Sequence, residues 1–489
     1  MDEILSRKLV ETTEKQEIKE LSKGIRFDLP EKILQFGTGG FLRGFTDYLV
    51  DKANKQQLFN GSILVVKSTP GQPGNFARQD NLYTVNIKDK EINEFVLAAA
   101  LNRVVSATDQ WELVLEAAQS PSLQLLISNT TEAGLQYLEE DLSTGKTPAS
   151  FPGKVAVVLH ERFKASGGSP ESGLVILPCE LVVNNGKVLQ EMVVKLAGKN
   201  NFEPEFIKWL NDANHFCNTI VDRIIPGKPD PGQQQETFAR LGYTDQLLLE
   251  CESYLLWAIE GGQRVKDVLE FAKADDRVII TDDIEPYREQ KLRLLNGTHT
   301  FSVPLAFLCG QETVYQAVND PLVSRFMQQL MQVEIAPTLE GISPRPSSYA
   351  RQVFERFQNP HIVHKLINIM FQQSTKMKLR NAATIQRYFK LEGKAPRHMA
   401  LGLAAYLLFM KNAADLAVED DMAVWFKELW AGNSPGKVVN ATLEKLALTK
   451  DAEQTALFAA AVLSFLEQLL QTPAREVLEQ FLNTTPARP

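Results

Sequence analysis

A chain of 489 residues is too long for a single hydrophobic core, and two domains are expected. Its 44% apolar and 23% charged residues are ordinary for a globular protein. A net charge of −8 and a pI near 5.5 speak against a nucleic-acid partner, which needs a clustered basic surface.

The start, Met1-Asp-Glu-Ile-Leu-Ser-Arg-Lys8, is charged and has no apolar signal-peptide core. The apolar runs 401–410 and 456–465 are far shorter than the roughly 20 residues of a membrane span. A cytoplasmic protein with no membrane partner is expected. Cysteines 179, 217, 251 and 309 are scattered without CxxC spacing, as in a protein of a reducing compartment. His361 and His364 have no further ligand at a recognised spacing, so no metal site is expected.

In chain order, residues 1–31 read as a charged helical lead-in. Lys32-Ile-Leu-Gln-Phe36 reads as a strand running directly into Gly37-Thr-Gly39-Gly40-Phe41-Leu-Arg43-Gly44. An amphipathic stretch, 45–53, and a second strand, 61–67, follow. This β–Gly-rich turn–α–β order opens a dinucleotide-binding fold. Gly37 and Gly39 let the backbone turn and approach a pyrophosphate. The usual third glycine position holds Leu42, so the fingerprint is incomplete. The second strand ends in Lys67-Ser-Thr69, without the acidic residue that typically holds a ribose, so these residues leave NAD and NADP open.

Apolar runs 123–128 and 173–178, interleaved with helical patterns at 110–118 and 154–163, indicate a parallel sheet covered on both faces. Thr130, Thr131 and Glu132 follow the first of these runs, at the sheet edge where a nicotinamide ribose would pass; exposed loop residues are the alternative. From 283 onward the periodicity becomes helical, with helices expected at 359–377, 400–411, 422–430 and 452–470. The expected class is α/β: a Rossmann-type domain with its lead-in over 1–282, then a mostly α-helical domain over 283–489.

Within that second part, Lys291-Leu-Arg-Leu-Leu-Asn296-Gly-Thr-His299 gathers an amine, a carboxamide and an imidazole. At 100° per residue, Asn296 lies about 140° and His299 about 80° round from Lys291, within one broad arc. A surface helix with a solvated lysine is the competing reading.

Phe36-Gly-Thr-Gly-Gly-Phe-Leu-Arg43 resembles the N-terminal signature of the polyol-specific long-chain dehydrogenases, the mannitol dehydrogenase family. Val221-Asp-Arg-Ile-Ile-Pro226 and Lys291…Asn296…His299 resemble its later blocks. The stretches 128–134, 177–181, 282–287 and 356–360 are similar to its uronate-reducing branch. The resemblance implies a metal-independent hydride transfer between NAD(H) and a linear sugar acid, at a site between a Rossmann-type and a helical domain. It places the cofactor on Phe36, Gly37, Gly39, Gly40, Phe41 and Arg43; Lys67 and Thr131, from their positions after the second strand and after the run 123–128, are further cofactor candidates. Lys291 would be the acid/base, Asn296 a donor to the developing alkoxide, and His299 a substrate-orienting group. A free lysine has a pKa of ~10.4, so burial or nearby positive charge would have to lower it. Asp222 would tune the lysine, with pairing to Arg223 as the alternative. Lys376 would contact substrate, where a carboxylate gives it an electrostatic task.

The chain also departs from the polyol pattern. Leu181 stands where polyol enzymes place a second oxyanion-donating Asn, leaving Asn184 and Asn185 as nearby amides; Asn185 is carried as the substrate-binding candidate. Asn368 and Phe371 replace an Arg and a His, and Gly40 replaces a common Asn. These changes fit an acid substrate better than a polyol. A mannonate-forming uronate reductase, a mannitol-type dehydrogenase, an epimerase and a nucleotide sensor are the competing readings. Monomer and homodimer are both open.

Overall fold

The computed structural model describes residues 3–69, 71–130, 134–412 and 418–484. The chain divides into two compact units, Met1–Ile284 and Glu285–Pro489.

In the first unit the lead-in is two short helices, Arg7–Thr12 and Gln16–Leu21, rather than one. Ser6 caps the first by accepting from the Leu9 N–H. Leu5, Leu9 and Ile18 bury themselves with Leu82, Leu97 and Tyr243.

Six strands form the main sheet: β1 (Glu31–Phe36), β2 (Ser62–Lys67), β3 (Leu101–Ser106), β4 (Leu125–Ser128), β5 (Val175–Pro178) and β6 (His215–Phe216). Their order is β3-β2-β1-β4-β5-β6, with every pairing parallel. That is the doubly wound order, and its direction reverses between β1 and β4. The central strands are apolar on both faces because both are covered. Ile33, Ile63, Val65 and Leu125 pack with Phe45 and Trp257 on one side. Leu34, Leu64, Leu126 and Ile176 pack with Val155, Leu159 and Leu189 on the other. Each such fully buried aliphatic side chain contributes about 1.5–3 kcal/mol.

Two small sheets complete this unit, neither foreseen from the sequence. Tyr83–Lys88 pairs with Asn93–Ala98 and Leu249–Cys251, and Leu256–Glu260 pairs with Thr219–Asp222 and Val278–Thr281.

In the helical unit, Arg397–Lys411 and Ala452–Gln471 pack together, and Ala423–Ala431 matches its expected helix. The expected single helix over 359–377 does not form. Pro360 disfavours helix at the residue before it, and helix resumes only over Leu366–Ile369. Gln372 then takes a left-handed φ of +50° and restarts the chain into Gln373–Lys376. Its side chain bonds Asp421, while Asp420 accepts from both the backbone N–H and the hydroxyl of Ser374. Among its described residues this unit carries three π-helical segments: Lys291–Gly297, Leu330–Ile335 and Met377–Asn381. The first packs against the other two.

Candidate active site

The glycine-rich turn leaves the carboxyl end of β1, where the sheet order reverses. Gly37 has φ +129°, and its N–H donates to the Val66 carbonyl. A Cβ there would come within 3.0 Å of Leu42 Cδ1 and 3.2 Å of the Asn129 carbonyl oxygen. Conformation and space therefore both demand glycine. Gly39 and Gly40 face open space, with nothing within 4 Å of an added Cβ, so their backbone stays approachable. Leu42, in the third-glycine place, is a buried core residue. The close packing falls to Gly44 instead, where a Cβ would lie 2.9 Å from Ile225 Cδ1. A parallel sheet, a switch point and an open glycine turn together fit a bound dinucleotide.

The aromatic and basic members of this motif serve the fold. The Phe36 ring is wholly buried, edge-to-face with Phe151 at 5.4 Å, so its side chain cannot meet a cofactor. Phe41 stacks on Phe45 at 5.0 Å. Arg43 donates through Nη1 to the Leu247 carbonyl and lies over the rings of Phe76 and Tyr83. Its Nε is buried without a partner. These engagements take up the side chains of Phe36, Phe41 and Arg43, while the backbone at Gly39 and Gly40 stays open. Lys67 Nζ donates to the carbonyl and hydroxyl of Thr69, at 2.6 and 2.9 Å. Thr131 and Glu132 lie outside the described residues.

Two buried carboxyl groups support this edge, and composition alone gave no sign of them. Glu180 accepts from the Thr130 N–H at 2.8 Å and the Ser128 hydroxyl at 3.2 Å, and burial raises its pKa. Asp47 sits behind the glycine turn, accepting from Thr46 Oγ1 at 2.8 Å and Gln35 Nε2 at 3.2 Å. Gln35 Nε2 also donates to the Gly37 carbonyl. Full burial pushes the Asp47 carboxyl up to about 6.

Asn185 is corrected by the structure. Its carboxamide donates to the carbonyls of Pro178 and Glu180 and accepts from the N–H groups of Gly186 and Thr219. Almost fully buried and saturated, it ties the β5 end to its neighbours and has nothing left for a substrate. Leu181, by contrast, is 71% exposed in the loop after β5. Asp222 is buried at the end of its strand. Arg223 spends its guanidinium on the carbonyls of Glu252 and Gly44 and on the face of Tyr48.

In the helical unit, the segment carrying Lys291 and Asn296 is not α-helical, which corrects the angular estimate. In the π-helix Lys291–Gly297 the hydrogen bonds run from i to i+5. Residues five apart are then closer in angle than in an α-helix, so the Lys291 and Asn296 side chains diverge by less than the roughly 140° of the α-helical estimate. Both are partly exposed, while His299, one turn on, is buried. Its ring stacks on Phe357 at 4.3 Å and meets the His364 ring edge-on at 5.6 Å; its Nδ1 is buried without a partner. Burial, then His364, Arg380, Arg356 and Lys376, hold its pKa well below the usual value, so the imidazole is neutral.

Arg293, on the same π-turn, was not singled out by the sequence. Its guanidinium pairs with Glu289 and donates to the carbonyls of Leu379 and Arg380 at 2.8 and 2.6 Å. It thereby stitches the Lys291 turn to the π-turn that follows Lys376. The approach is close: a Cβ on Gly297 would lie 2.8 Å from Asn381 Oδ1. Lys376 Nζ donates to the Ile369 carbonyl at 2.8 Å. Burial, reinforced by Arg380 and opposed by Asp420, brings its pKa down to about 8.

Among the described residues no helix is long and apolar enough to cross a membrane, and no cluster of three metal-ligating side chains occurs. Residues 31–273 match the mannitol dehydrogenase Rossmann domain and residues 283–470 the mannitol dehydrogenase C-terminal domain. The chain is 39% identical to the altronate oxidoreductase of Halalkalibacterium halodurans, over 86% of each chain. It is 40% identical to that of Bacillus subtilis, over 82% of this chain and 84% of the relative. Its fold is similar to that of a D-sorbitol dehydrogenase (TM-score 0.81, 19% identity, 97% of this chain and 100% of that one). The Pseudomonas fluorescens mannitol 2-dehydrogenase, solved with NAD and D-mannitol, gives a TM-score of 0.69 at 22% identity, covering 95% and 96%. The chain belongs to the mannitol dehydrogenase family and is an NAD-dependent oxidoreductase of CH–OH groups.

Proposed function

We propose that this enzyme reduces D-tagaturonate to D-altronate with NADH, reversibly and without a metal. The observation that supports this reading is the single π-turn that carries both Lys291 and Asn296, with neutral His299 one turn on and the cation of Lys376 acting on it. The chain's likeness to the altronate oxidoreductases of two bacteria supports the choice of substrate.

Bound NADH supplies the hydride. As negative charge grows on the ketone oxygen, Lys291 Nζ gives it a proton, and in the reverse direction takes one from the alcohol. The Asn296 carboxamide N–H stabilises the same oxygen without adding charge. His299, neutral and held against Phe357, hydrogen-bonds substrate rather than carrying a proton to it. Lys376 draws in the carboxylate. In the first unit, the backbone at Gly37, Gly39 and Gly40 cradles the pyrophosphate, with Lys67 as a further contact.

The test is NADH oxidation by chelator-treated protein offered tagaturonate, fructuronate and fructose separately. Turnover with tagaturonate, abolished by Lys291→Met while NADH binding persists, is the expected result. Turnover with fructuronate or fructose alone overturns the substrate. Conversion without net NADH consumption indicates an epimerase, and persistent turnover in Lys291→Met removes the lysine from the mechanism.

A further inference from the structure

Arg380 is a half-buried cation that the fold does not neutralise. It lies on the π-turn Met377–Asn381, one helical step beyond Lys376. Among the described residues its guanidinium makes one long hydrogen bond, from Nη1 to Thr300 Oγ1 at 3.4 Å. Burial brings its pKa down to about 10, and no acid among the described residues offsets it.

Its neighbours show the contrast. Arg293 and Arg387 share the Glu289 carboxylate, so each of them has an acidic partner. Asp420, the acid that acts on Lys376, is committed to the Ser374 N–H and hydroxyl and to the Met422 N–H. Arg356, Lys376 and Arg380 all bear on His299, whose own Nδ1 is buried without a partner. A partly desolvated guanidinium with five donors and almost nothing to donate to is costly unless an anion arrives. The planar fork matches a carboxylate through two parallel bonds.

We propose that Arg380, together with Lys376, binds the carboxylate of the substrate and makes the site prefer a sugar acid to a neutral ketose or polyol. The inference rests on the sugar-acid reading above and names the group that enforces it. The geometry also sets the reach of the site. Arg293 holds the Arg380 carbonyl at 2.6 Å, which ties the carboxylate-binding turn to the turn bearing Lys291. The span from carboxylate to reacting carbon is then fixed by two π-turns locked to each other.

The experiment measures binding of D-altronate and its neutral counterpart D-altritol, by calorimetry in the presence of NADH, to wild type, Arg380→Gln and Arg380→Lys. Removing one charge-assisted contact is expected to weaken altronate by about 10- to 100-fold and leave altritol within about twofold. Arg380→Lys, which keeps the charge and loses the fork, should fall between. In turnover, the same loss should appear in KM for tagaturonate with kcat nearly unchanged. An equal loss for acid and neutral ligand, or none for either, overturns the proposal. If Arg380→Gln does not fold, Arg380→Lys decides by the same comparison. Acid-selective binding that depends on Arg380 in a protein that fails to reduce tagaturonate would sustain this subsite while sinking the proposed reaction. Absence of altronate binding to wild type would sink the subsite.

Discussion

Replacing Arg293 by Met tests whether the two π-turns are held by this one guanidinium. Met fills similar volume but removes the donors to the Leu379 and Arg380 carbonyls and the pair with Glu289. Both members of that pair are under 10% exposed, so solvent neither screens the interaction nor replaces it. Breaking a buried pair costs about 3–5 kcal/mol, chiefly through the charge left behind. Here Arg387 still neutralises Glu289, which places the cost near the lower end, about 3 kcal/mol. For a unit of this size, at roughly 2–4 °C per kcal/mol, the helical transition should drop by about 6–12 °C. Scanning calorimetry reads it directly. Turnover below that transition should also fall, because the Lys291 turn loses its register against the turn of Lys376. Arg293→Lys should not restore it, since one ammonium cannot reach two carbonyls and a carboxylate. A drop under about 2 °C with unchanged kcat would show that packing alone aligns the turns, and the reasoning would fail.

Other expectations follow from the same contacts. Gly297→Ala drives a methyl to within 2.8 Å of Asn381 Oδ1, and should cost about 1–3 kcal/mol and lower kcat; a variant as stable and active as wild type would show that Asn381 simply moves aside. Asp47→Asn reports on the buried carboxyl. Its folded pKa of about 6 lies above the unfolded value, so the stability it confers is present below about pH 4 and lost as pH rises through 6. The variant should match wild type at low pH and exceed it by at most about 3 kcal/mol at neutral pH; a pH-independent difference refutes the burial. Lys376 has a folded pKa of about 8, so KM for an acid substrate should stay level below that pH and rise above it. Arg380→Gln should move the rise to higher pH, because Arg380 helps to lower Lys376.

The sheet was legible because it is made of short apolar runs punctuated by glycine, and those runs are local. Gly37 announced itself, and the structure gives two reasons for it in φ and in the approach of Asn129. Leu42 looked like a defect in the fingerprint, and its consequence was hidden: the tight packing moved two residues on, to Gly44, against Ile225 and Leu249 far along the chain. No local pattern reports such a partner. Asn185 was misjudged for the same reason, since its bonds run to Thr219 across the sheet. The helix expected over 359–377 failed because apolar spacing cannot register that Gln372 is held left-handed by residues 420–421. Lys291, Asn296 and His299 were visible as residue types. Their true geometry was not, because α and π turns share the same apolar pattern and differ by one residue in their hydrogen bonding.

What distinguishes the helical unit is how many locally unfavourable features meet in one place. A left-handed Gln372, a π-turn packed against two others, an orphaned imidazole nitrogen and an unmatched Arg380 each cost stability, and each persists because neighbours over-determine it. Arg293 and Asp420 supply much of that restraint, one through carbonyls and the other through Ser374. A fold selected for stability alone would relax the π-turns to α and give Arg380 a carboxylate. On the sugar-acid reading, keeping them leaves donors and positive charge already in position, and an anionic substrate would supply the missing counter-charge as it binds. On that account the strain and the specificity have one origin. Variants that relieve the first, such as an acid introduced beside Arg380 by Thr300→Asp, should gain stability while losing affinity for the acid substrate.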